Sequence, residues 1–482
     1  MDHINNFING KFTSPAAGQY LDVYEPATGE VYCRAPASGP KDVEEAVLAA
    51  ESAFPSWSQT SVDERANILD AIADGIESDF DNLAVAESRD TGKPLSLARS
   101  VDLPRAISNF HTFADMVRTF DDQTFESKEF GLNTVHHEPL GIVGCISPWN
   151  LPLYLFSWKI APAIATGNCV VGKPSELTPF SAQVLGHITK TAGLPDGVLN
   201  IIHGRGPEAG SAITTHPGIK AVSFTGGTKT GAIISSAVAP HFKKLSLELG
   251  GKNPNIIFAD CDFERMLETT LRSSFANQGE ICLCGSRILV EEKIYEEFRD
   301  KFIARTNQLI VGDPLKKESD LGALISESHS EKVINYIQLA KDEGGSILAG
   351  GERLAGNGRC KNGWFISPTI IEGLGPECRT NQEEIFGPVV TLIPFSSEEE
   401  SVEIANATEY GLSASIWTND LKKAERVASK IESGVIWINC WMVRDLRTPF
   451  GGMKNSGLGR EGGEEALRFF TEAKTVCIKA ED

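Results

Sequence analysis

The sequence lacks any uninterrupted apolar stretch long enough to cross a bilayer. Its first residues, Met1 to Phe7, also lack the basic leader and apolar segment of a secretory signal. The two absences argue against a membrane span and against secretion. We therefore expect a soluble protein of the cytoplasm.

Positive charge is scarce. The chain has 45 lysine and arginine residues against 65 aspartate and glutamate residues, which gives a formal net charge of -20. A surface of this charge repels nucleic acids and anionic lipids, so we expect neither as a partner. Any positive charge at a ligand site must therefore be local.

The 10 cysteines do not form a repeated C-x-x-C framework, which argues against a zinc scaffold and against a disulfide-stapled secreted fold. Cys282 and Cys284 form a C-x-C pair. No neighbouring cluster of histidine or cysteine supplies further ligands, so we expect no metal site.

The sequence also lacks internal repeats and low-complexity linkers, which predicts lobes that pack against each other. From about Pro139, short apolar runs alternate with amphipathic stretches, the pattern of a parallel α/β sheet. Its 482 residues exceed what one hydrophobic core holds, so we expect two α/β lobes. Predicted strands are 141–146, 169–171, 198–202, 221–224 and 255–258, and predicted helices are 41–57, 61–90, 155–165, 263–275 and 294–309.

Two segments fit neither lobe. Residues 125–138 have mixed polarity, and residues 474–479 alternate like an edge strand. Because neither is stable alone, we expect them to pair with each other or with another subunit.

Cys282 is the first candidate for catalysis. It follows a helix-compatible run and the glycine-containing turn at Gly279, where a thiol is accessible. Covalent chemistry on an aldehyde needs a soft nucleophile, and a cysteine thiolate is the best such side chain. The alternative is an inert buried thiol, which is the commoner state of a cysteine.

Glu248 and Asn150 are the second and third candidates. Glu248 is a carboxylate in the otherwise apolar run 245–249, where burial raises the pKa and favours a general base. A backbone-bonded structural glutamate is the alternative. Asn150 follows a predicted parallel strand, at the edge where α/β sheets meet ligands, and its amide can donate to an oxyanion.

Together these residues carry a resemblance to the aldehyde dehydrogenase superfamily that extends from near Phe7 to the C-terminus. Further motifs of that family are 172–176 (GKPSE), 224–227 (FTGG), 384–388 (EIFGP) and 449–457 (PFGGMKNSG). The resemblance implies an α/β aldehyde dehydrogenase fold with a Rossmann-like NAD-binding domain, a second α/β catalytic domain and a small β-extension for oligomerisation. It assigns 1–121 and 140–249 to the NAD-binding domain, 250–439 to the catalytic domain, 122–139 and 464–482 to the oligomerisation strands, and 440–463 to a return into the NAD-binding domain.

The resemblance also implies a reaction. The thiolate of Cys282 attacks the aldehyde, the amide of Asn150 and the Cys282 N–H hold the oxyanion, and hydride leaves to NAD. Glu248 then activates the water that hydrolyses the thioester. Cys284 packs as a small hydrophobic residue.

For the cofactor, the resemblance places Lys173 and Glu176 at the adenosine ribose. The carboxylate of Glu176 repels a 2′-phosphate and so favours NAD over NADP. A surface Lys–Glu pair is the generic alternative. The family pattern also assigns the pyrophosphate to Gly226 and Gly227, the nicotinamide ribose to Glu384, the side of the nicotinamide ring to Phe386, and backbone contacts with the cofactor to Trp149.

Two positions depart from the family pattern. Gly227 replaces a common serine, so backbone N–H groups must carry more of the pyrophosphate binding, and NAD affinity is expected to be modest. Glu280 replaces a common glutamine, and its charge is expected to raise the pKa of Cys282.

Within the superfamily, residues 276–284 and 437–441 resemble the dehydrogenases of 2-aminomuconic and 2-hydroxymuconic semialdehydes. This branch implies that Arg105 and Arg444 bind the far end of a small acidic aldehyde; the alternative is that both are surface residues. Other rivals are a retinal or betaine aldehyde dehydrogenase, a CoA-acylating or phosphorylating relative, and a catalytically silent structural member. A homodimer or homotetramer is expected.

Overall fold

The computed structural model describes residues 2–479. Among them, no helix is both long and apolar enough to traverse a bilayer. The strands are β1 Asp2–His3, β2 Asn6–Ile8, β3 Lys11–Thr13, β4 Tyr20–Glu25, β5 Glu30–Pro36, β6 Gln123–Ser127, β7 Gly131–Pro139, β8 Ile142–Ile146, β9 Cys169–Lys173, β10 Leu199–Ile201, β11 Ile219–Thr225, β12 Lys244–Glu248, β13 Pro254–Ile257, β14 Arg287–Glu291, β15 Ser346–Ala349, β16 Arg353–Leu354, β17 Phe365–Ile366, β18 Thr369–Glu372, β19 Val389–Phe395, β20 Tyr410–Gly411, β21 Ser413–Trp417, β22 Val435–Ile438, β23 Met453–Lys454, β24 Gly457–Leu458 and β25 Thr471–Ile478.

The helices alternate with these strands through both lobes. They are α1 Pro40–Trp57, α2 Val62–Ser78, α3 Phe80–Thr91, α4 Leu95–Leu97, α5 Leu103–Arg118, α6 Pro152–Ala165, α7 Phe180–Thr191, α8 Ser211–Thr215, α9 Thr228–Val238, α10 Phe263–Phe275, α11 Glu292–Thr306, α12 Glu327–Asp342, α13 Arg379–Gln382, α14 Glu398–Asn406, α15 Leu421–Ala428 and α16 Gly463–Phe469.

An eight-stranded sheet forms the first lobe, in the order β24-β12-β11-β8-β9-β10-β2-β3. Its five central strands are parallel, from β12 to β10. Strands β8 and β9 are buried at every position, because helices cover both faces of the sheet. The register aligns Ile146 with Lys173 and Thr225 with Glu248, so these strands end at one edge.

A seven-stranded sheet forms the second lobe, in the order β15-β18-β19-β14-β13-β21-β22. All its pairs are parallel except β15 with β18. Successive residues of β13 pack into different hydrophobic clusters, Ile256 into one and Ile257 into the other. Apolar cores therefore cover both faces of this sheet too, and the prediction of two α/β lobes is confirmed.

The two segments that fit neither lobe do pair with each other. Residues 123–139 form a hairpin of β6 and β7, and β25 adds to it in antiparallel register from Thr471 opposite Pro139 to Ile478 opposite Leu132. The segment from residue 464 begins as the helix α16, not as a strand, because its apolar residues Ala466 and Leu467 pack into the first core.

One predicted helix differs from the structure. Residues 61–90 form two helices, since Asp79 leaves helical geometry with φ -107° and ψ 22°. The first helix is capped by the Ser61 hydroxyl, which accepts from the Glu64 N–H at 3.3 Å. The helices predicted at 41–57 and 263–275 are confirmed to within one residue.

Candidate active site

The three candidate catalytic residues line one cavity of about 750 Å³, which we call the thiol cavity. It opens where the parallel strands of the first sheet end, between the two lobes. Its lining comprises Pro148, Trp149, Asn150, Leu155, Thr225, Gly226, Gly227, Glu248, Leu249, Gly250, Cys282, His329, Lys332, Glu384 and Phe386.

The turn before Cys282 has an unusual backbone. After α10, Asn277, Gln278 and Gly279 all have positive φ, at 53°, 55° and 73°. A Cβ at Gly279 would meet the Gly387 carbonyl oxygen at 2.2 Å, so only glycine fits. Cys282 follows this turn outside α10 and is partly exposed, whereas Cys284 is buried.

Side chains from other segments hold the backbone around the thiol. The Asn253 amide donates to the carbonyl oxygens of Cys282 at 2.7 Å and Cys284 at 2.9 Å. The Trp441 indole donates to the Leu283 carbonyl oxygen at 2.9 Å. These bonds connect the backbone around Cys282 to segments that are distant from it in the chain.

Burial raises the pKa of the Cys282 thiol, and the carboxylates of Glu384 and Glu248 raise it further. The expectation that Glu280 is the source of this shift is wrong. The Glu280 carboxyl accepts from the Ile325 N–H at 3.1 Å, and its own pKa is raised well above the usual range by burial. The charges that act most on the Cys282 thiol are those of Glu384 and Glu248, not that of Glu280.

Glu248 is 4% exposed at the end of β12. Within residues 2–479, neither of its carboxylate oxygens has a hydrogen-bond partner. Burial raises its pKa well above the usual range, and the nearby charge of Glu461 raises it further. Glu461 itself bonds Lys159 at 2.6 Å. A buried carboxylate with free lone pairs and a raised pKa is suited to take a proton from water.

The cofactor candidates follow the edge where the first sheet's strands end. Lys173 is buried at the end of β9 and donates to Glu176 at 3.1 Å and to the Gly204 carbonyl oxygen at 2.9 Å. Lys173 and Glu176 lie at this edge of the sheet but do not line the thiol cavity. Gly226 and Gly227 line it at the start of α9, and a Cβ on Gly227 would meet nothing within 4 Å.

The other cofactor candidates come from a neighbouring loop and from the second lobe. Glu384 accepts from the Gly251 N–H at 2.9 Å, and a Cβ on Gly250 would meet its carboxylate at 2.3 Å. Phe386 packs edge-on against Trp149, with 5.4 Å between ring centroids. This part of the cavity wall therefore combines the Glu384 carboxylate with aromatic rings.

Arg105 and Arg444 lie together in a second cavity, the arginine cavity, of about 690 Å³. Its lining comprises Ser100, Val101, Pro104, Arg105, Ser108, Tyr154, Leu283, Trp437, Met442 and Arg444, none of which is acidic. Leu283 lines this cavity and Cys282 lines the thiol cavity. The arginine cavity therefore reaches the residue that follows Cys282 in the chain.

The arginines of this cavity are held by aromatic rings rather than by acids. The Arg444 guanidinium carbon lies 4.6 Å from the Trp158 ring and 4.0 Å from the Phe450 ring. In the described part of the chain, nothing accepts a hydrogen bond from Arg444 Nε or Nη2, or from Arg105 Nη2. Burial lowers the pKa of Arg444 to about 10, so it stays protonated at neutral pH. The alternative, that both arginines are surface residues, does not fit their partial burial.

Comparison with known proteins decides the family. The model of the aldehyde dehydrogenase family matches residues 12–476. The chain belongs to that family.

This dehydrogenase is 49% identical to a 2-aminomuconic semialdehyde dehydrogenase of Danio rerio, over 99% of this chain and 98% of that one. It is 45% identical to a 2-hydroxymuconic semialdehyde dehydrogenase of Pseudomonas sp. strain CF600, over 99% of this chain and all of that one. An aldehyde dehydrogenase of Bacillus cereus in complex with NAD+ superposes with a TM-score of 0.97 at 40% identity, covering 100% of this chain and 97% of that chain. The predicted family, its branch and its fold are confirmed.

Sequence reasoning missed four polar residues of this dehydrogenase's site. His329 and Lys332, one helical turn apart on α12, line the thiol cavity. Lys159 and Glu461 form a buried ion pair whose charges act on Glu248. Glu248 is a candidate because it is a charged residue in an apolar segment. Lys159 in the apolar helix α6 gives the same signal. His329 and Lys332 carry no comparable signal.

Proposed function

We propose that this chain oxidises a small acidic semialdehyde to its carboxylic acid with NAD, and that 2-aminomuconic 6-semialdehyde is its substrate. The observation that carries the proposal is a pair of cavities lined by the neighbouring residues Cys282 and Leu283. The cavity lined by Cys282 also contains Glu248, Asn150 and the cofactor edge, and the cavity lined by Leu283 contains two partly buried arginines and no acidic residue in its lining.

The first half of the reaction forms a thioester. The Cys282 thiolate adds to the aldehyde carbon, and the oxyanion accepts hydrogen bonds from the Asn150 amide and the Cys282 N–H. One Asn150 N–H already bonds the Glu280 carbonyl oxygen at 2.9 Å, which leaves the other for the substrate. The tetrahedral adduct then expels hydride as the carbonyl re-forms as a thioester, and NAD would supply the hydride acceptor.

The second half releases the acid. Glu248 takes a proton from water, the hydroxide adds to the thioester carbon, and the C–S bond breaks to return the thiolate. The presence of Glu248 in the cavity favours water as the acceptor over CoA or phosphate. Complete catalytic residues argue against a silent structural protein.

The residues at the sheet edge suit NAD. Lys173 and Glu176 would bind the adenosine ribose, and Glu176 would disfavour the 2′-phosphate of NADP. The N–H groups at Gly226, Gly227 and the start of α9 would bind the pyrophosphate. Glu384 would hold the nicotinamide ribose, Phe386 would pack beside the ring, and the Trp149 backbone would contact the cofactor. The open space at Gly227 suits close approach of a ligand to the backbone.

Arg105 and Arg444 would bind the carboxylate at the far end of the substrate. A guanidinium holds a carboxylate through parallel hydrogen bonds and stays charged at neutral pH. At a net charge of -20, an anionic substrate needs such local positive charge. Retinal and betaine aldehyde have no carboxylate and would gain nothing here.

An aldehyde panel tests the proposal. Purified protein with NAD, with and without CoA, is assayed on 2-aminomuconic and 2-hydroxymuconic semialdehydes, retinal and betaine aldehyde. We expect the highest catalytic efficiency on a muconic semialdehyde, no requirement for CoA, and a free acid as product. Preference for retinal or betaine aldehyde, or an acyl-CoA product, would contradict the proposal.

We also propose that the sheet of β6, β7 and β25 joins subunits into a homodimer or homotetramer, in keeping with the domain division given above. It exposes Phe125, Phe130, Leu132, Val476 and Ile478. An exposed apolar sheet of this kind favours self-association. Sedimentation equilibrium should show an oligomer that Phe130→Lys weakens, and a monomer for the unmodified chain would contradict the assignment.

A further inference from the structure

Asn109 lies fully buried on α5, one helical turn after Arg105. Its side-chain oxygen accepts from Arg105 Nε at 2.9 Å. Its amide nitrogen donates to the Tyr154 carbonyl oxygen and to the Ser157 hydroxyl, both at 2.9 Å. Asn109 therefore uses both ends of its amide to connect Arg105 to the backbone of α6.

This arrangement fixes the direction of the Arg105 guanidinium. Its Nε is occupied by Asn109, and its carbon lies 5.0 Å from the ring centroids of both Tyr154 and Trp158. No acceptor in residues 2–479 takes a hydrogen bond from Nη2. Bonding at the Nε end and packing against two rings hold the Arg105 guanidinium in one orientation in the wall of the arginine cavity.

Asn109 is also uncharged. An acidic residue four positions from an arginine on a helix is an ordinary ion-pair partner. Asparagine provides the same hydrogen-bond geometry without a negative charge. A buried arginine positioned by an amide keeps its full charge for a ligand, whereas one positioned by a carboxylate would be neutralised.

We propose that Asn109 is a positioning residue for substrate specificity: it orients Arg105 toward the carboxylate of the substrate without neutralising it. This inference rests on the proposed function of the two arginines. It adds a residue that has no direct contact with the substrate and acts through Arg105.

Asn109→Asp tests the inference, since it keeps the shape of the side chain and adds one charge. The readout is the ratio of kcat/KM on 2-hydroxymuconic semialdehyde to kcat/KM on 2-hexenal, an uncharged aldehyde of equal chain length. We expect this ratio to fall by roughly tenfold or more, mainly through KM, as for the loss of one charge-assisted contact. A merely structural role would lower both efficiencies together and leave the ratio unchanged.

Asn67→Asp is the matched control. Asn67 also accepts a hydrogen bond from an arginine, Arg118 Nη2 at 2.9 Å, but it lies on the surface. We expect this variant to keep the ratio of the unmodified enzyme. A fall equal to that of Asn109→Asp would show a general charge effect and would overturn the inference.

A double variant separates this inference from the proposed function. In an Arg105→Ala background, Asn109→Asp should not change the ratio further, because its effect acts through Arg105. If Arg105→Ala lowers the ratio but Asn109→Asp alone does not, the role of Asn109 is overturned. If Arg105→Ala leaves the ratio unchanged, the proposed carboxylate site itself fails.

A second variant covers the case in which the buried aspartate prevents folding. Asn109→Ser removes the amide that reaches Arg105 and adds no charge. We expect it to lower the same ratio by several-fold, with the far-UV circular dichroism of the unmodified enzyme. A folded Asn109→Ser variant with an unchanged ratio would overturn the inference.

Discussion

The side-chain amide of Asn150 donates a 2.9 Å hydrogen bond to the carbonyl oxygen of Glu280, two residues before Cys282. The backbone carbonyl oxygen of Asn150 in turn accepts from Lys93 Nζ at 2.9 Å and from the side-chain amide of Asn277 at 3.2 Å. The loop that carries the oxyanion donor and the loop that carries the thiol are therefore joined before any substrate binds. Electrostatic catalysis depends on donors held in this way, because they need not reorganise during the reaction.

Cys282→Ser should abolish aldehyde oxidation while NAD binding survives. An alkoxide forms far less readily than a thiolate near neutral pH, so we expect kcat to fall by roughly 10⁴-fold or more. Steady-state NADH production and calorimetric titration with NAD measure the two properties. Cys284→Ser is the control and should keep most of the activity; substantial turnover by Cys282→Ser would refute the assignment of the nucleophile.

Glu248→Ala should form the thioester but fail to hydrolyse it. We expect one burst of NADH and then a stall, because the water has lost its base. Mass spectrometry of the intact protein should show the acyl adduct. Steady turnover without an accumulated adduct would mean that another group activates the water.

The pH dependence of hydrolysis should depend on Glu461. Its charge raises the pKa of Glu248, and Glu248 must be deprotonated to act as a base, so the hydrolysis rate increases as the pH rises through that raised pKa. Glu461→Gln removes this charge and leaves Lys159 unpaired, and both changes lower the pKa of Glu248. We expect the rising limb of single-turnover hydrolysis to move to lower pH, and a shift to higher pH would contradict this reading.

Glu280→Gln and Glu384→Gln should differ in their effect on Cys282. The Glu384 carboxylate raises the pKa of the thiol, whereas the Glu280 carboxyl accepts from the Ile325 N–H and is not among the groups that shift this pKa most. Iodoacetamide should therefore alkylate Cys282 at lower pH in Glu384→Gln and at an unchanged pH in Glu280→Gln. The opposite ranking would restore Glu280 as the source of the shift.

Arg444→Ala and Arg105→Ala should each weaken the use of an acidic substrate. Loss of one charge-assisted contact costs about 1.5–3 kcal/mol, or roughly ten- to hundredfold in kcat/KM on a muconic semialdehyde. The control is Arg447→Ala in the same loop as Arg444, where the side chain is 76% exposed. Equal losses on a neutral aldehyde of similar size would return both arginines to a structural role.

Local sequence predicted much of the fold. The apolar runs at β8, β9 and β11 and the amphipathic spacing of α1 and α10 are short-range patterns, and each forms the element it indicates. The break at Asp79 between α2 and α3 was not predicted, because helical periodicity continues across it in the sequence.

The sequence by itself determined which residues we propose as reactive, since the motifs around Cys282, Glu248 and Asn150 are those of the family. Only the tertiary structure decided which groups shift the pKa values of Cys282 and Glu248. Glu280 is next but one to Cys282 in the chain, yet its carboxyl accepts from the Ile325 N–H, while Glu384 acts on the thiol from about a hundred residues away. Likewise Arg105 and Arg444 converge only because α5 and the loop after Trp441 both pack against the ring of Trp158. Burial and charge act through space, and pKa shifts and unpaired guanidinium groups depend on neighbours that the order of residues does not reveal.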